Sequence, residues 1–131
     1  MAFNHYLFKP HLLIRNEFVQ TIIGSQLSGE TSLPERKVHK VQLEKQSKLI
    51  VLEIPCENTD APMILLAHGM GGCSESSYMR RIARKLWIRG LNIFMMNHRG
   101  SGLGMGLSER LWNGGVSGDL AKVLEFMSKL Y

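Results

Sequence analysis

Met63-Ile64-Leu65-Leu66-Ala67 is an uninterrupted apolar run that breaks into His68-Gly69-Met70-Gly71-Gly72, and a helical pattern follows at once. A run that is apolar at every position predicts a strand covered on both faces, as inside a parallel sheet. Beyond the glycines, Met79, Ile82, Ala83, Leu86 and Trp87 recur at helical spacing and form one apolar stripe. Ser74 or Ser76 can cap this helix, Glu75 places negative charge near its start, and Gly90 suits the position past its end. Leu91-Asn92-Ile93-Phe94-Met95-Met96 then reads as a second buried strand. Strand, helix and strand with short joints make a βαβ unit, whose crossover is expected to be right-handed. The fold class is therefore α/β.

The flanking segments fit that class. Val38 to Glu44 alternates apolar and polar residues, and Lys48 to Ile54 follows after Gln46-Ser47, which predicts a β-hairpin. Pro55 to Pro62 is a polar loop, and Asn97 to Gly118 is a long glycine-rich one. Ser117 is placed to cap a last helix, with Leu120, Val123, Leu124, Met127 and Leu130 as its buried stripe. Residues 1–37 read as an arm laid over the core. Phe3, Tyr6, Leu7 and Phe8 cluster before Pro10, a second apolar stretch surrounds Phe18, Val19, Ile22 and Ile23, and Ser28 to Glu35 is loop by composition. Residues 38–131 form the domain itself.

Composition removes several classes of function. The 131 residues carry sixteen Lys and Arg against eleven Asp and Glu, a net charge of +5. Five of the bases, Arg80, Arg81, Arg84, Lys85 and Arg89, lie on the βαβ helix and read as a solvated face. Trp87, the aromatic residue within that span, belongs to the apolar stripe and is no stacking platform among the bases, so nucleic acid is not the expected partner. Cys56 and Cys73 lack the spacing of a metal site or redox motif, and neither a metal nor a cofactor is expected. Lys9, His11, Arg15 and Glu17 interrupt the N-terminal apolar residues, which argues against a signal peptide. No run is long enough to span a membrane, and a cytoplasmic location is expected.

Three clusters could carry chemistry. The His68–Gly72 turn exposes backbone N–H groups ahead of a helix N-terminus, an arrangement suited to a developing oxyanion. A strand-to-helix turn that simply needs glycine explains the same residues. Asn97-His98-Arg99-Gly100-Ser101-Gly102 also follows a buried strand, which places it at the same carboxyl edge of the sheet, where ligands of open α/β sheets bind. Arg110 to Leu120 leads into the last helix. Gly100 to Gly106 lacks the Gly-Lys-Ser/Thr ending of a phosphate loop. No Gly-x-Ser-x-Gly occurs: Ser101 has glycine beside it but not at the flanking offsets, and Ser108 and Ser117 each have glycine two before but not two after. A local triad of Ser101, His98 and Glu109 is disfavoured, since loop residues so close in sequence seldom hold the required geometry.

Together these pieces carry a family resemblance. His68–Gly72 with Ser74–Tyr78 behind it, Asn97–Gly100, and Arg110–Leu120 ending in Asp119-Leu120 resemble the YheT-type α/β-hydrolases. Phe8-Lys9-Pro10, Asn16 and Gln20-Thr21 are similar to that family's N-terminal arm. The resemblance implies a serine hydrolase acting on carboxylic esters, with three αβα layers when complete. It assigns the backbone N–H of Met70, helped by Gly71, to the oxyanion hole. His68, Gly69 and Gly72 would shape that loop, His68 being structural and not the catalytic base. Asn97, Arg99 and Asp119 would be scaffold beside the site. The nucleophile, acid and catalytic histidine of the family have no counterpart here, so the chain is expected to be the N-terminal half of a truncated hydrolase domain. It would be inactive alone and would meet a small-molecule ester only when completed. The alternative is a non-catalytic interaction module that pairs, with itself or another chain, through an exposed sheet edge.

Overall fold

The computed structural model describes residues 9–26, 32–58 and 60–130. The aromatic cluster at Phe3 to Phe8 and residues 28–31 of the Ser28 to Glu35 loop lie outside the described residues. Strands β1 (Lys37–Gln42) and β2 (Lys48–Ile54) form the expected antiparallel hairpin, with Val41 opposite Leu49. Lys45 turns the hairpin at a φ of 46°. Strands β3 (Met63–Ala67) and β4 (Asn92–Asn97) are parallel neighbours joined through helix α2 (Ser77–Trp87), the βαβ unit read from the pattern. The sheet order is β1-β2-β4-β3, so β4 lies between β2, its antiparallel neighbour, and β3.

Period-two alternation divides the core into two layers. Ile50, Leu52 and Ile54 of β2 join Ile93 and Met95 of β4 on one face, where Met79 and Ala83 of α2 cover them. Leu49, Val51, Phe94 and Met96 point to the other face, beneath Val123 and Met127 of helix α3 (Ser117–Met127). Every residue of β4 is buried. Polar residues close its two ends. At the start, Asn92 Oδ1 accepts the Cys56 N–H at 2.9 Å while its amide donates to the Ala61 carbonyl at 3.0 Å. At the finish, Asn97 Oδ1 accepts the Ser74 N–H at 2.9 Å while Nδ2 donates to the Ser74 hydroxyl at 3.0 Å.

Several expectations are corrected. Among the described residues β3 is the sheet edge, and Met63 to Leu66 are half-buried instead of enclosed. Its apolar run forms the expected strand, but among the described residues no strand flanks its outer side. The α3 stripe is narrower than its sequence suggests: Val123 and Met127 are buried, whereas Leu120, Leu124 and Leu130 are exposed. Ile82 of α2 is exposed too. Neither expected serine caps α2 by its side chain. Ser76 occupies the cap position, yet its hydroxyl accepts the Cys73 N–H ahead of the helix, and the Ser74 hydroxyl is taken by Asn97. The cap of α3 is Val116, with Ser117 already inside the helix. Asn97 belongs to β4, and Gly102–Gly104 is a short 3-10 turn within the expected loop. The arm contains a helix that its weak pattern did not announce, α1 (Glu17–Gln26), started by Asn16 Oδ1 accepting the Phe18 and Val19 N–H groups.

The basic face of α2 is tied down in part. Arg84 donates to the Ser32 carbonyl at 2.9 Å, and Arg36 pairs with Glu75 at the helix start. Both cysteines are free thiols. No helix among the described residues is long and apolar enough to cross a membrane.

The two-layer core gives a sharp contrast for mutation. Phe94→Ala is expected to cost about 3–5 kcal/mol, because a fully buried ring leaves a cavity under α3. Leu124→Ala on the outer face of α3 should change stability by no more than about 0.5 kcal/mol. Urea denaturation of the two variants measures both, and equal losses would contradict the assignment of the α3 faces.

Candidate functional site

The carboxyl ends of β3 and β4 release the two loops singled out in the sequence, and the loops face one another. Between them lies an open cleft of about 490 Å³ whose walls include His68–Cys73, His98–Gly102, Met105, Leu111 and Trp112. The Gly69 carbonyl accepts the Gly72 N–H at 3.0 Å, closing a four-residue turn with Met70 and Gly71 at its centre. Gly71 has a φ of 73° and Met70 a negative one, the signature of a type II turn, which favours glycine at its third position. The geometry leaves the Met70 and Gly71 N–H groups without a partner among the described residues. Met70 itself is 89% exposed at the lip of the cleft. Gly69 donates its N–H to the Tyr78 hydroxyl at 2.9 Å, which ties the turn to the first turn of α2. Gly102, at a φ of 51°, packs so closely that a Cβ there would strike the Asn97 side chain and Cys73.

His68 is buried and orients the loop through both ring nitrogens. Its Nδ1 lies 2.8 Å from the Gly69 carbonyl, so that nitrogen carries the proton. Its Nε2 accepts the His98 backbone N–H at 3.1 Å and lies 2.9 Å from the Ser101 hydroxyl. In return His98 Nε2–H donates to the His68 carbonyl at 3.0 Å. The rings meet edge to face, with centroids 4.5 Å apart, and Trp112 packs on the far side of His98 at 4.9 Å. Burial, and then the adjacent His68, hold the His98 imidazole below its ordinary pKa.

Ser101 does not assemble the triad weighed in the sequence. Its hydroxyl donates to the His98 carbonyl at 2.7 Å and does not meet that imidazole. The Glu109 N–H is engaged elsewhere, on the Ser47 hydroxyl. The imidazole beside Ser101 is His68, a contact between residues 33 positions apart that local spacing did not signal.

Below the cleft, the buried Arg99 guanidinium grips two carboxylates. Nε and Nη2 donate to Asp119 at 2.6 and 2.5 Å. Nη1 and Nη2 reach Glu44, the second contact at 2.8 Å. Asp119 lies in the first turn of α3 and Glu44 in the β1–β2 turn, so one side chain joins three segments. Sequence reading singled out Arg99 and Asp119 but missed Glu44, which lies 55 positions from Arg99 in an ordinary hairpin turn. The Arg99 hydrogen bond holds the Glu44 carboxyl at about 2, well below its ordinary 4.5. Asp119 first, and Glu44 second, hold the guanidinium protonated beyond its already high range. The described residues contain no group of three or more His, Cys, Asp or Glu arranged to hold a metal ion.

This fork makes acid sensitivity a direct readout. A carboxylate whose folded pKa is depressed stabilises the fold above its ordinary pKa and loses that contribution as pH falls toward the folded value. Glu44→Gln should therefore flatten the decline in thermal midpoint between about pH 4.5 and pH 2. Arg99→Met leaves Asp119 buried without its cation and is expected to cost about 3–5 kcal/mol at neutral pH, read by chemical denaturation.

No protein-family model matches the chain, and no curated protein sequence matches it. Among solved structures, the fold is similar to a protein of unknown function from Agrobacterium tumefaciens that is assigned provisionally to the α/β-hydrolases. The TM-score is 0.58 at 18% sequence identity, over 73% of this chain and 43% of that one. This chain therefore spans less than half of that protein's length. The likeness, together with the mixed sheet and the helices on its two faces, gives the chain an α/β-hydrolase-like fold.

Proposed function

We propose that this chain supplies the oxyanion side of a carboxylic-ester hydrolase of the YheT type, with Met70 and Gly71 as the backbone donors. One observation carries the reading: the two central N–H groups of the Gly69–Gly72 turn have no protein partner among the described residues and belong to residues that line the cleft. Such donors, fixed before substrate arrives, stabilise the negative charge that develops on an ester carbonyl oxygen when a nucleophile attacks. Each is worth about 2.7–4 kcal/mol in the transition state of comparable enzymes. Tyr78, His68 and Asn97 hold the turn and its flanking segment in place. Arg99 and Asp119 fix the floor beneath it.

The attacking group lies outside these 131 residues. No serine among the described residues occupies a nucleophile elbow, and the Ser101 proton is drawn toward a backbone carbonyl and a histidine that already accepts an amide N–H. The substrate is then a small-molecule ester bound only when a further segment brings the nucleophile, acid and base. A second reading has one observation in its favour. Strand β3 is apolar and half-buried, and among the described residues no strand pairs with its outer side, so the chain could act without catalysis by pairing that edge with another copy or another protein.

Two measurements test the proposal. The purified chain should hydrolyse p-nitrophenyl acetate no faster than buffer, and Ser101→Ala should change nothing; turnover abolished by Ser101→Ala would overturn the assignment of the nucleophile to another segment. The nucleotide sequence beyond the Tyr131 codon should encode, in this or a shifted frame, an apolar strand followed by Gly-x-Ser-x-Gly. Its absence from every frame would remove the hydrolase reading and leave the interaction module.

A further inference from the structure

His68 stands one residue beyond Ala67 and His98 two beyond Met96, the last pair of the parallel β3–β4 ladder. There the rings extend the ladder. The His68 imidazole takes the hydrogen bond of the His98 amide, and the His98 imidazole gives one to the His68 carbonyl. Only one protonation state of His68 allows this. Nδ1 carries a proton because it faces a carbonyl, so Nε2 must be bare to accept the His98 N–H.

We propose that His68 is a proton-operated clasp between the two loops of the cleft, closed when its ring is neutral and released when it is cationic. A solvent proton entering at Nε2 converts the acceptor into a donor. It then opposes the His98 N–H, donor against donor, and the amide loses its partner. The new N–H has another destination 2.9 Å away in the Ser101 hydroxyl oxygen. That hydroxyl can keep its own proton on the His98 carbonyl at 2.7 Å. The serine thus provides a hydrogen-bonded arrangement for each state of the ring, and the proton that enters is the only covalent change.

The surroundings favour a single operator. His98 already uses Nε2–H as a donor, so a proton on its Nδ1 would leave its bond to the His68 carbonyl intact. Burial and the neighbouring His68 also disfavour a charge on it. From α2, Tyr78 meets the clasp only through the Gly69 N–H, and Cys73 stands at the far end of the turn. From α3, Asp119 favours a cationic His98 but is bound to Arg99. Trp112 packs on His98 without a charge. Release would free the strand-end of the turn that carries Met70 and Gly71. The consequence for ester chemistry rests on the proposed function, whereas the clasp rests on the hydrogen bonds alone.

Imidazole nitrogen shifts and amide hydrogen exchange of the purified chain, followed by NMR from about pH 8 to about pH 5, test the clasp. As the His68 Nε2 signal moves from the bare to the protonated position, exchange at the His98 amide should accelerate roughly five- to tenfold beyond the intrinsic pH trend, the loss expected from one hydrogen bond. Amides of Val51 and Phe94 should not respond. In His68→Gln, whose side-chain oxygen accepts but takes no proton, the acceleration should vanish; in His98→Gln, which keeps the backbone amide, it should remain. Unchanged His98 exchange while His68 titrates would overturn the proposal, as would acceleration that persists in His68→Gln or disappears in His98→Gln. Should His68→Gln fail to fold, the wild-type and His98→Gln titrations still decide between these outcomes. The esterase assay is separate, so failure of either idea leaves the other standing.

Discussion

A guanidinium withdrawn from water must be paired, and the pairing of Arg99 dictates where three distant segments stand. The group sits at the end of β4, almost fully buried, and its planar fork fits the two carboxylates edge on. Asp119 can reach it only if α3 begins at this end of the sheet. Glu44 can reach it only if the hairpin turn curls back toward the cleft. Apolar packing of Val123 and Met127 holds α3 against the sheet but does not determine its position along the strands. The ionic fork provides that fixed point, and the floor of the cleft follows from it.

Local chemistry was the legible part of this molecule. The apolar run Met63 to Ala67, the alternation through the hairpin and the stripe on α2 each depend on neighbours a few positions away, and each produced the expected element. Periodicity reports which residues are apolar, not what will cover them. That is why β3 read as enclosed although it lies at the edge, and why Leu120 and Leu124 read as core although Val123 and Met127 alone of that stripe fill the layer. Helix α1 was missed because its start rests on one Asn16 side chain, while Phe18 and Ile22 remain outside the core.

At the cleft the boundary is similar. Glycines at 69, 71 and 72 announced a turn, and the order of strand, turn and helix located it at the carboxyl edge. The reciprocal contacts of His68 and His98 could not be read in advance, since they arise from the parallel register of two strands about thirty residues apart. The apolar side chains of Met70, Met105 and Leu111 at the mouth are largely exposed. A loop pair can therefore be recognised from composition while its bonding waits on the register.

The sheet order β1-β2-β4-β3 also governs assembly in time. The hairpin closes locally, but β3 leaves the ribosome before the only described strand that pairs with it. Until β4 has emerged, Met63 to Ala67 has no partner among the described strands, and a short, uncharged apolar segment is left exposed. The strand that leads into the glycine turn thus waits for a partner that is made some thirty residues later, and the nascent chain is open to mispairing in that interval.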